Sequence, residues 1–298
     1  MKLQHVGLVG YGEVGKIFAA GLLHQVASVR AWDLKFVAEQ PVRDAQWGHA
    51  RAAGLEVCES MEQLCAGVDL VMSAVTASHA LEVAQAAAGS LRPGTVFLDL
   101  NSASPGTKQQ AAALIEGAGG HYVEAGVMTS VPPYGIRVPM LLGGPHAGAL
   151  APVLAAWGMH ATVVSDRLGV ASAIKMCRSV MIKGLEALVI ESYTAARAYG
   201  VEEHMIPTLQ ETFPGIDWQK TGAYFFSRVV QHGQRRAEEM RESANTVREA
   251  GFEPFMTAAI AEKQQWIADQ ARAGVFEGID TSGPWQPYAD NLIARRKG

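Results

Sequence analysis

The chain has 298 residues, enough for one large domain or two ordinary ones, and 49% of them are apolar against 18% charged. That balance fits a globular protein with extensive buried surface and excludes a disordered chain. A net charge of −4 argues against a nucleic-acid or anionic-membrane binder, and Cys58, Cys65 and Cys177 are too few and too scattered for a disulfide framework or a zinc cluster. That cysteine usage makes a reduced, cytoplasmic setting without a metal the expectation; no apolar run reaches membrane-spanning length and the N-terminus lacks a signal core.

Residues 3–10 read as a short buried strand, followed by Gly10-Tyr-Gly-Glu-Val-Gly15, a helix to about Gln25, and a second strand over 28–33 that ends on Asp33. This order matches what dinucleotide binding demands. The first glycine permits the tight turn and the second lets the backbone approach a pyrophosphate. The third lets the helix pack close, so that its N-terminal amides and dipole meet the phosphates. Gly10, Tyr11, Gly12, Glu13, Val14 and Gly15 therefore form the candidate phosphate loop, and Asp33 the ribose acceptor. A Gly-rich turn without a ligand is the bland alternative. Anionic Asp33 would repel a 2′-phosphate, which favours NAD over NADP; Arg30, Lys35 and Arg43 lie close enough to weigh the other way.

Strands are expected at 55–58, 68–75 and 94–100, with a helix opening at the capping-box spacing of Ser60 and Gln63 and another capped by Thr76 and Ser78. Ser104 as N-cap and Pro105 as first helical residue start the next helix. Further strands fall at 121–128, 140–142 and 160–164, a helix at 145–157, and a proline-punctuated loop at 129–139. Alternating strands and helices predict a doubly wound, mainly parallel Rossmann-type sheet, whose ligands sit at the carboxyl ends of the strands. Val75, Thr76, Asn101 and Ser102 then lie beside the nicotinamide end of a cofactor, with ordinary cap or turn roles as the alternative. Past Asp166 only helices are predicted: one long helix at 169–199, then 202–212, 217–232, 234–250 and 254–273, and a Pro/Gly-bearing tail at 282–287. The expected division is a dinucleotide-binding domain at 1–167 and an all-α domain at 168–298, joined by the long helix. An apolar helix leading a small helical domain also predicts a homodimer or higher assembly.

In that helix Ala171, Lys175, Ser179 and Lys183 recur every four residues and form a narrow polar seam in an otherwise apolar surface. A lysine so placed is either a snorkelling rim residue or a proton-transfer group facing a cleft. Gly169-x5-Lys175-Met176, Asn101-Ser102 and the first glycine motif together resemble the β-hydroxyacid dehydrogenases, the superfamily of 6-phosphogluconate and 3-hydroxyisobutyrate dehydrogenases. The run from Lys175 to Glu186 and the segment from His232 to Met240 look like a poorly characterised branch with its own C-terminal domain type.

The resemblance implies Lys175 as general acid/base, Asn101 and Ser102 by the nicotinamide and substrate, and NAD held by Gly10, Gly12, Gly15 and Asp33. Ser179 stands where the family carries an asparagine, and joins Lys175 and Asn101 as a catalytic candidate. Departures follow in the substrate contacts. The family's Ser-Gly-Gly is replaced by Met128-Thr129-Ser130, and a lysine of its C-terminal domain by Glu238-Glu239. Arg137, Arg235 or Arg236 could supply the missing positive charge, solvated surface charge being the alternative for each. With Ser102, these residues make up the substrate-binding candidates. The expected activity is hydride transfer between NAD and a small-molecule hydroxyacid or related alcohol in a cleft at the domain junction. C=N reduction by an imine-reductase-like enzyme and a non-catalytic NAD-binding module are the rivals, with a methyltransferase a more distant one.

Overall fold

The computed structural model describes residues 3–296. Contacts divide the chain into two compact units, Met1–Met176 and Cys177–Gly298. The first unit begins with β1 (His5–Val9), α1 (Glu13–Leu22), β2 (Ser28–Trp32), α2 (Val42–Ala52), β3 (Glu56–Val57), α3 (Met61–Cys65) and β4 (Leu70–Ser73). It continues with α4 (Ala80–Ala88), β5 (Val96–Asp99), α5 (Pro105–Gly117), β6 (His121–Val127), β7 (Met140–Gly143), α6 (Ala147–Ala156) and β8 (Ala161–Ser165). These strands form one sheet in the order β3-β2-β1-β4-β5-β6-β7-β8, parallel throughout except where β7 runs against β6. The order reverses direction between β1 and β4, where doubly wound sheets open a crevice at their carboxyl edge.

Every residue of β4 and β5 is buried, the continuous apolar signature of parallel strands covered on both faces. Alternation then assigns the layers. Leu8, Met72 and Leu98 join Phe18 of α1 on one face. Val9, Val71 and Phe97 join Ala111 and Ile115 of α5 on the other.

The long helix α7 (Val170–Tyr199) is continuous, and is followed by α8 (Glu202–Thr212), α9 (Trp218–Glu249), α10 (Phe255–Arg272) and α11 (Gln286–Arg296). Two sequence expectations change here. The helices predicted at 217–232 and 234–250 are one helix, because Gly233 is a contact residue and not a stop. A Cβ there would lie 2.9 Å from the Gln264 carbonyl oxygen and 3.1 Å from the Ala268 Cβ, so the missing side chain lets α9 and α10 pack backbone to backbone. The Pro/Gly-bearing tail, for which no helix is expected, leads into α11, with Pro287 in its first turn, where no N–H is missed. Trp285 just before it is 1% exposed, with its ring 4.9 Å from that of Tyr193 and 5.9 Å from that of Phe226. Among the described residues no helix is long and apolar enough to cross a membrane.

Candidate active site

The loop between β1 and α1 fits a dinucleotide by shape. Gly10 sits at φ +93°, and a Cβ there would collide with the Ala74 carbonyl at the end of β4. A Cβ on Gly15 would strike the Gly10 carbonyl oxygen, so the glycine is what lets α1 start so close to the strand. At Gly12 a Cβ would meet nothing within 4 Å. That open side faces away from the fold, at the N-terminus of α1, whose first amides lack a side-chain cap. Tyr11, Glu13 and Val14 offer backbone there; the Tyr11 side chain is 1% exposed, packs on Phe36 and bonds His49 Nδ1 through its hydroxyl at 3.0 Å.

Asp33 ends β2 with its carboxylate oriented by two amides: Tyr11 N–H donates to Oδ2 at 2.6 Å and Lys35 N–H to Oδ1 at 2.8 Å. A carboxylate has lone pairs for about four such bonds, which leaves acceptors for ribose hydroxyls. Neighbouring Arg30 is engaged elsewhere, bonding the Ala66 carbonyl and pairing with Glu56 at 2.9 Å. Arg43 lines a hollow of about 630 Å³ with Phe36, Trp47 and Arg51, reached from the same end of β2.

The next two strands carry the candidate chemistry. Asn101 is 3% exposed and braces β4 against β5 through both ends of its amide. Its Oδ1 accepts from Val75 N–H at 2.7 Å and its Nδ2 donates to Ser73 Oγ at 2.9 Å. Its own N–H donates to Asp99 Oδ1 at 2.9 Å. Ser102, half-buried, accepts a 2.6 Å hydrogen bond from Lys175 Nζ. Lys175 thus meets the β5 end of the sheet although 73 residues separate the partners. Thr76 is exposed, with its hydroxyl against Ser78 and His79.

Two features that set this geometry were not singled out in the sequence. Glu124, inside β6 and 0% exposed, caps the start of α7: Gly169 and Ala171 N–H donate to its Oε1 at 2.8 and 3.0 Å. Ser172 donates to Oε2 from its N–H at 3.3 Å and from its hydroxyl at 2.7 Å. An anionic acceptor on the unsatisfied amides at the positive end of the helix fixes the turn before Lys175. Next to it, a Cβ on Gly126 would fall 3.1 Å from the Ala171 carbonyl oxygen and 3.4 Å from the Lys175 Cβ, so glycine sets how closely α7 approaches β6.

The second feature is Asp99, whose carboxylate takes Lys108 Nζ at 2.9 Å and Tyr122 OH at 2.7 Å, all three buried. Burial, then the Asp99 charge, push the Tyr122 hydroxyl well above its ordinary pKa, so it stays a donor. The signal available was a carboxylate within an otherwise apolar strand, at Glu124 and again at Asp99.

The remaining substrate candidates are spread more widely. Met128 and Ser130 are half-buried and Thr129 exposed after β6, with Met128 N–H bonded to the Pro139 carbonyl. Arg137 is exposed on a 3-10 turn whose Ile136 packs on Gly21 of α1. Ser179 is buried one turn beyond Lys175 on α7. Arg235 is exposed on α9 with Glu239 3.8 Å away, whereas Arg236 is 7% exposed. For Arg236 the surface reading is therefore wrong. Its guanidinium is buried against Glu186 at 2.9 Å, a partner on another helix that local sequence does not reveal.

Residues 5–165 match the family model of the NAD-binding domain of 6-phosphogluconate dehydrogenase. The chain belongs to this 6-phosphogluconate dehydrogenase-like family. Residues 196–267 match a second model, a domain of unknown function named DUF1932, which gives this family member its distinct helical end. A conserved hypothetical protein from Sinorhizobium meliloti 1021 is 37% identical, with 99% of this chain and 97% of that one covered and a TM-score of 0.76. The 2-(hydroxymethyl)glutarate dehydrogenase of Eubacterium barkeri is 27% identical over 126 residues, 41% of this chain and 39% of that protein. The structure of Mycobacterium tuberculosis 3-hydroxyisobutyrate dehydrogenase with L-serine shares the fold at 17% identity, TM-score 0.71, covering 98% of this chain and 99% of that one. The chain thus carries an NAD(P)-binding domain of 6-phosphogluconate dehydrogenase type, and shares the overall fold of the 3-hydroxyisobutyrate dehydrogenase.

Proposed function

We propose that the protein is an NAD-dependent dehydrogenase or reductase acting on a hydroxyacid or related alcohol, with Lys175 as general acid/base. The observation that carries this is the 2.6 Å contact of Lys175 Nζ with Ser102 Oγ at the carboxyl end of β5. β1, β4 and β5 are parallel, so this pair shares the sheet edge that carries the Gly10–Gly15 loop. A surface lysine would need no such placement.

The bound dinucleotide would supply the hydride acceptor. Gly10, Gly12 and Gly15 with the first amides of α1 would hold its pyrophosphate, Asp33 its ribose, and Val75, Thr76 and the Asn101 brace the wall beside its nicotinamide. In oxidation neutral Lys175 would take the hydroxyl proton of the substrate carbinol; in reduction the lysine ammonium would return that proton to the developing alkoxide. Ser102 would orient Lys175 and hydrogen-bond the reacting oxygen. Met128, Thr129, Ser130 and Arg137 would border the substrate from the loop after β6.

Asp33 supports NAD over NADP, since its free lone pairs suit hydroxyls and its charge repels a 2′-phosphate. The activities of the Eubacterium barkeri and Mycobacterium tuberculosis relatives support a hydroxyacid. The placed lysine favours C–O over C=N reduction. Exposed Ile174, Met181 and Leu188, spaced by seven along α7, support pairing with a second copy.

Hydroxyacids and alcohols screened with NAD and NADP, in wild type and Lys175→Ala, test the reading. Activity with a hydroxyacid and NAD that Lys175→Ala abolishes is expected. Near wild-type turnover in the variant would overturn it.

A further inference from the structure

The C-terminal unit buries a knot of charge that the proposed reaction does not use. Arg236 Nη1 pairs with Glu186 Oε2 at 2.9 Å, and Lys183 Nζ pairs with Glu239. Arg236, Glu186 and Lys183 are 7%, 1% and 6% exposed. On the same face of α9, four and eight residues before Arg236, stand His232 and Arg228. Arg228 Nη1 lies 3.0 Å from His232 Nε2. A guanidinium can only donate, so that nitrogen accepts and the imidazole is neutral. Burial and then the flanking arginines hold the His232 pKa near 4, in agreement. Arg235 adds a cation 3.8 Å from Glu239. Glu238 is turned to Gln234 at the surface. Among the described residues, Lys183, Arg235 and Arg236 pair with the carboxylates of Glu186 and Glu239, and Arg228 has no carboxylate partner, only His232.

The same place holds unmade hydrogen bonds. Arg228 Nε and Arg236 Nε are buried without an acceptor among the described residues, and Gln264 Oε1 beside them without a donor. Gln264 Nε2 is directed to the Lys183 carbonyl and to Glu186 at 3.4 and 3.5 Å, which sets the amide orientation. Buried donors on charged groups are costly to leave unpaired, and a purely structural ion-pair network gains nothing from a cation that no carboxylate meets.

We propose that Arg228 and Arg236 form an oxyanion site that receives a carboxylate or a phosphate group. Each Nε–H would complete one donor edge of a guanidinium fork, and Gln264 Oε1 would accept from a hydroxyl or water beside the anion. That an oxyanion binds here does not depend on the hydride-transfer reading.

The test uses the full chain and no turnover. Inorganic phosphate and malonate are titrated by calorimetry at constant ionic strength against chloride, in wild type, Arg228→Gln and Arg236→Lys, with NADH binding measured in parallel. Saturable binding is expected, weakened about tenfold or more by either substitution, the size of one lost charged hydrogen bond, with NADH affinity unchanged. Malonate binding tighter than phosphate identifies a carboxylate; the reverse identifies a phosphate ester. Arg236→Lys keeps a cation for Glu186; should it still unfold, Arg228→Gln decides. No saturation beyond chloride, or equal binding in a folded variant, overturns the proposal. If anion binding fails while hydroxyacid turnover persists, only this inference falls; if turnover fails while anions bind, only the hydride-transfer reading falls.

Discussion

Replacing Glu124 by glutamine keeps the volume of the side chain but changes what it can accept. The carboxylate takes four hydrogen bonds, three from backbone N–H groups at the start of α7 and one from the Ser172 hydroxyl. In the variant the amide oxygen keeps the bonds from Gly169 and Ala171, while its NH2 group confronts the Ser172 N–H, which becomes an unpaired buried donor. That costs about 1–3 kcal/mol. Loss of an anion at the helix N-terminus adds about 0.5–2 kcal/mol in a buried site. The sum, about 1.5–5 kcal/mol, is a large share of a domain's stability, and at roughly 2–4 °C per kcal/mol it lowers Tm by about 3–20 °C. Thermal and urea melts followed by circular dichroism measure it. Because Ser172 lies one turn before Lys175, hydride transfer should fall while NADH affinity holds. A variant that melts with wild type would refute the view that Glu124 anchors α7.

Three further predictions follow from the same geometry. Gly126→Ala places a methyl 3.1 Å from the Ala171 carbonyl and 3.4 Å from the Lys175 Cβ, so α7 must shift by a few tenths of an ångström; stability drops by about 1–3 kcal/mol and kcat falls more than KM changes, as steady-state kinetics would show. Gly12→Ala adds a methyl to open space at φ −77°, so melting stays within about 1 kcal/mol of wild type while NADH binding by fluorescence titration is lost; retained binding would remove the phosphate loop from the cofactor site. His232 has its pKa lowered from 6.5 to about 4 on folding. The unfolded chain therefore binds more protons between these values, so this group's contribution is intact above pH 6.5 and is lost as pH falls towards 4. His232→Gln should flatten that part of the stability profile, and an unchanged slope would contradict the buried neutral imidazole.

What the sequence made legible is what local chemistry determines. Gly10 and Gly15 are positions where backbone conformation and close approach dictate glycine, Gly12 and Asp33 follow in chain order, and the apolar runs of β4 and β5 announce a two-sided sheet. Lys175 stood out because a single polar seam interrupts an apolar helix. What escaped is set by contacts distant in sequence. Glu124 meets Gly169 across 45 residues, and nothing near either one marks the pair. Gly233 read as a break because a helix-interior glycine and a terminal one look alike until α10 is seen against it. Arg236 reads as a substrate cation or a solvated charge, never as a buried ion pair, because its partner, Glu186, is on another helix. The glutamates found where the family resemblance placed a lysine gain a physical account from Lys183, which pairs with Glu239.

Single-turnover hydride transfer in Lys175→Met, monitored with saturating substrate and cofactor, bears most directly on the role given to that lysine. Methionine retains the length and packing of the stem but can neither take nor give the proton. The rate should fall by about 10²–10⁴-fold, the usual range for a lost general acid/base, with NADH affinity unchanged. A rate within a few-fold of wild type would contradict proton transfer by Lys175.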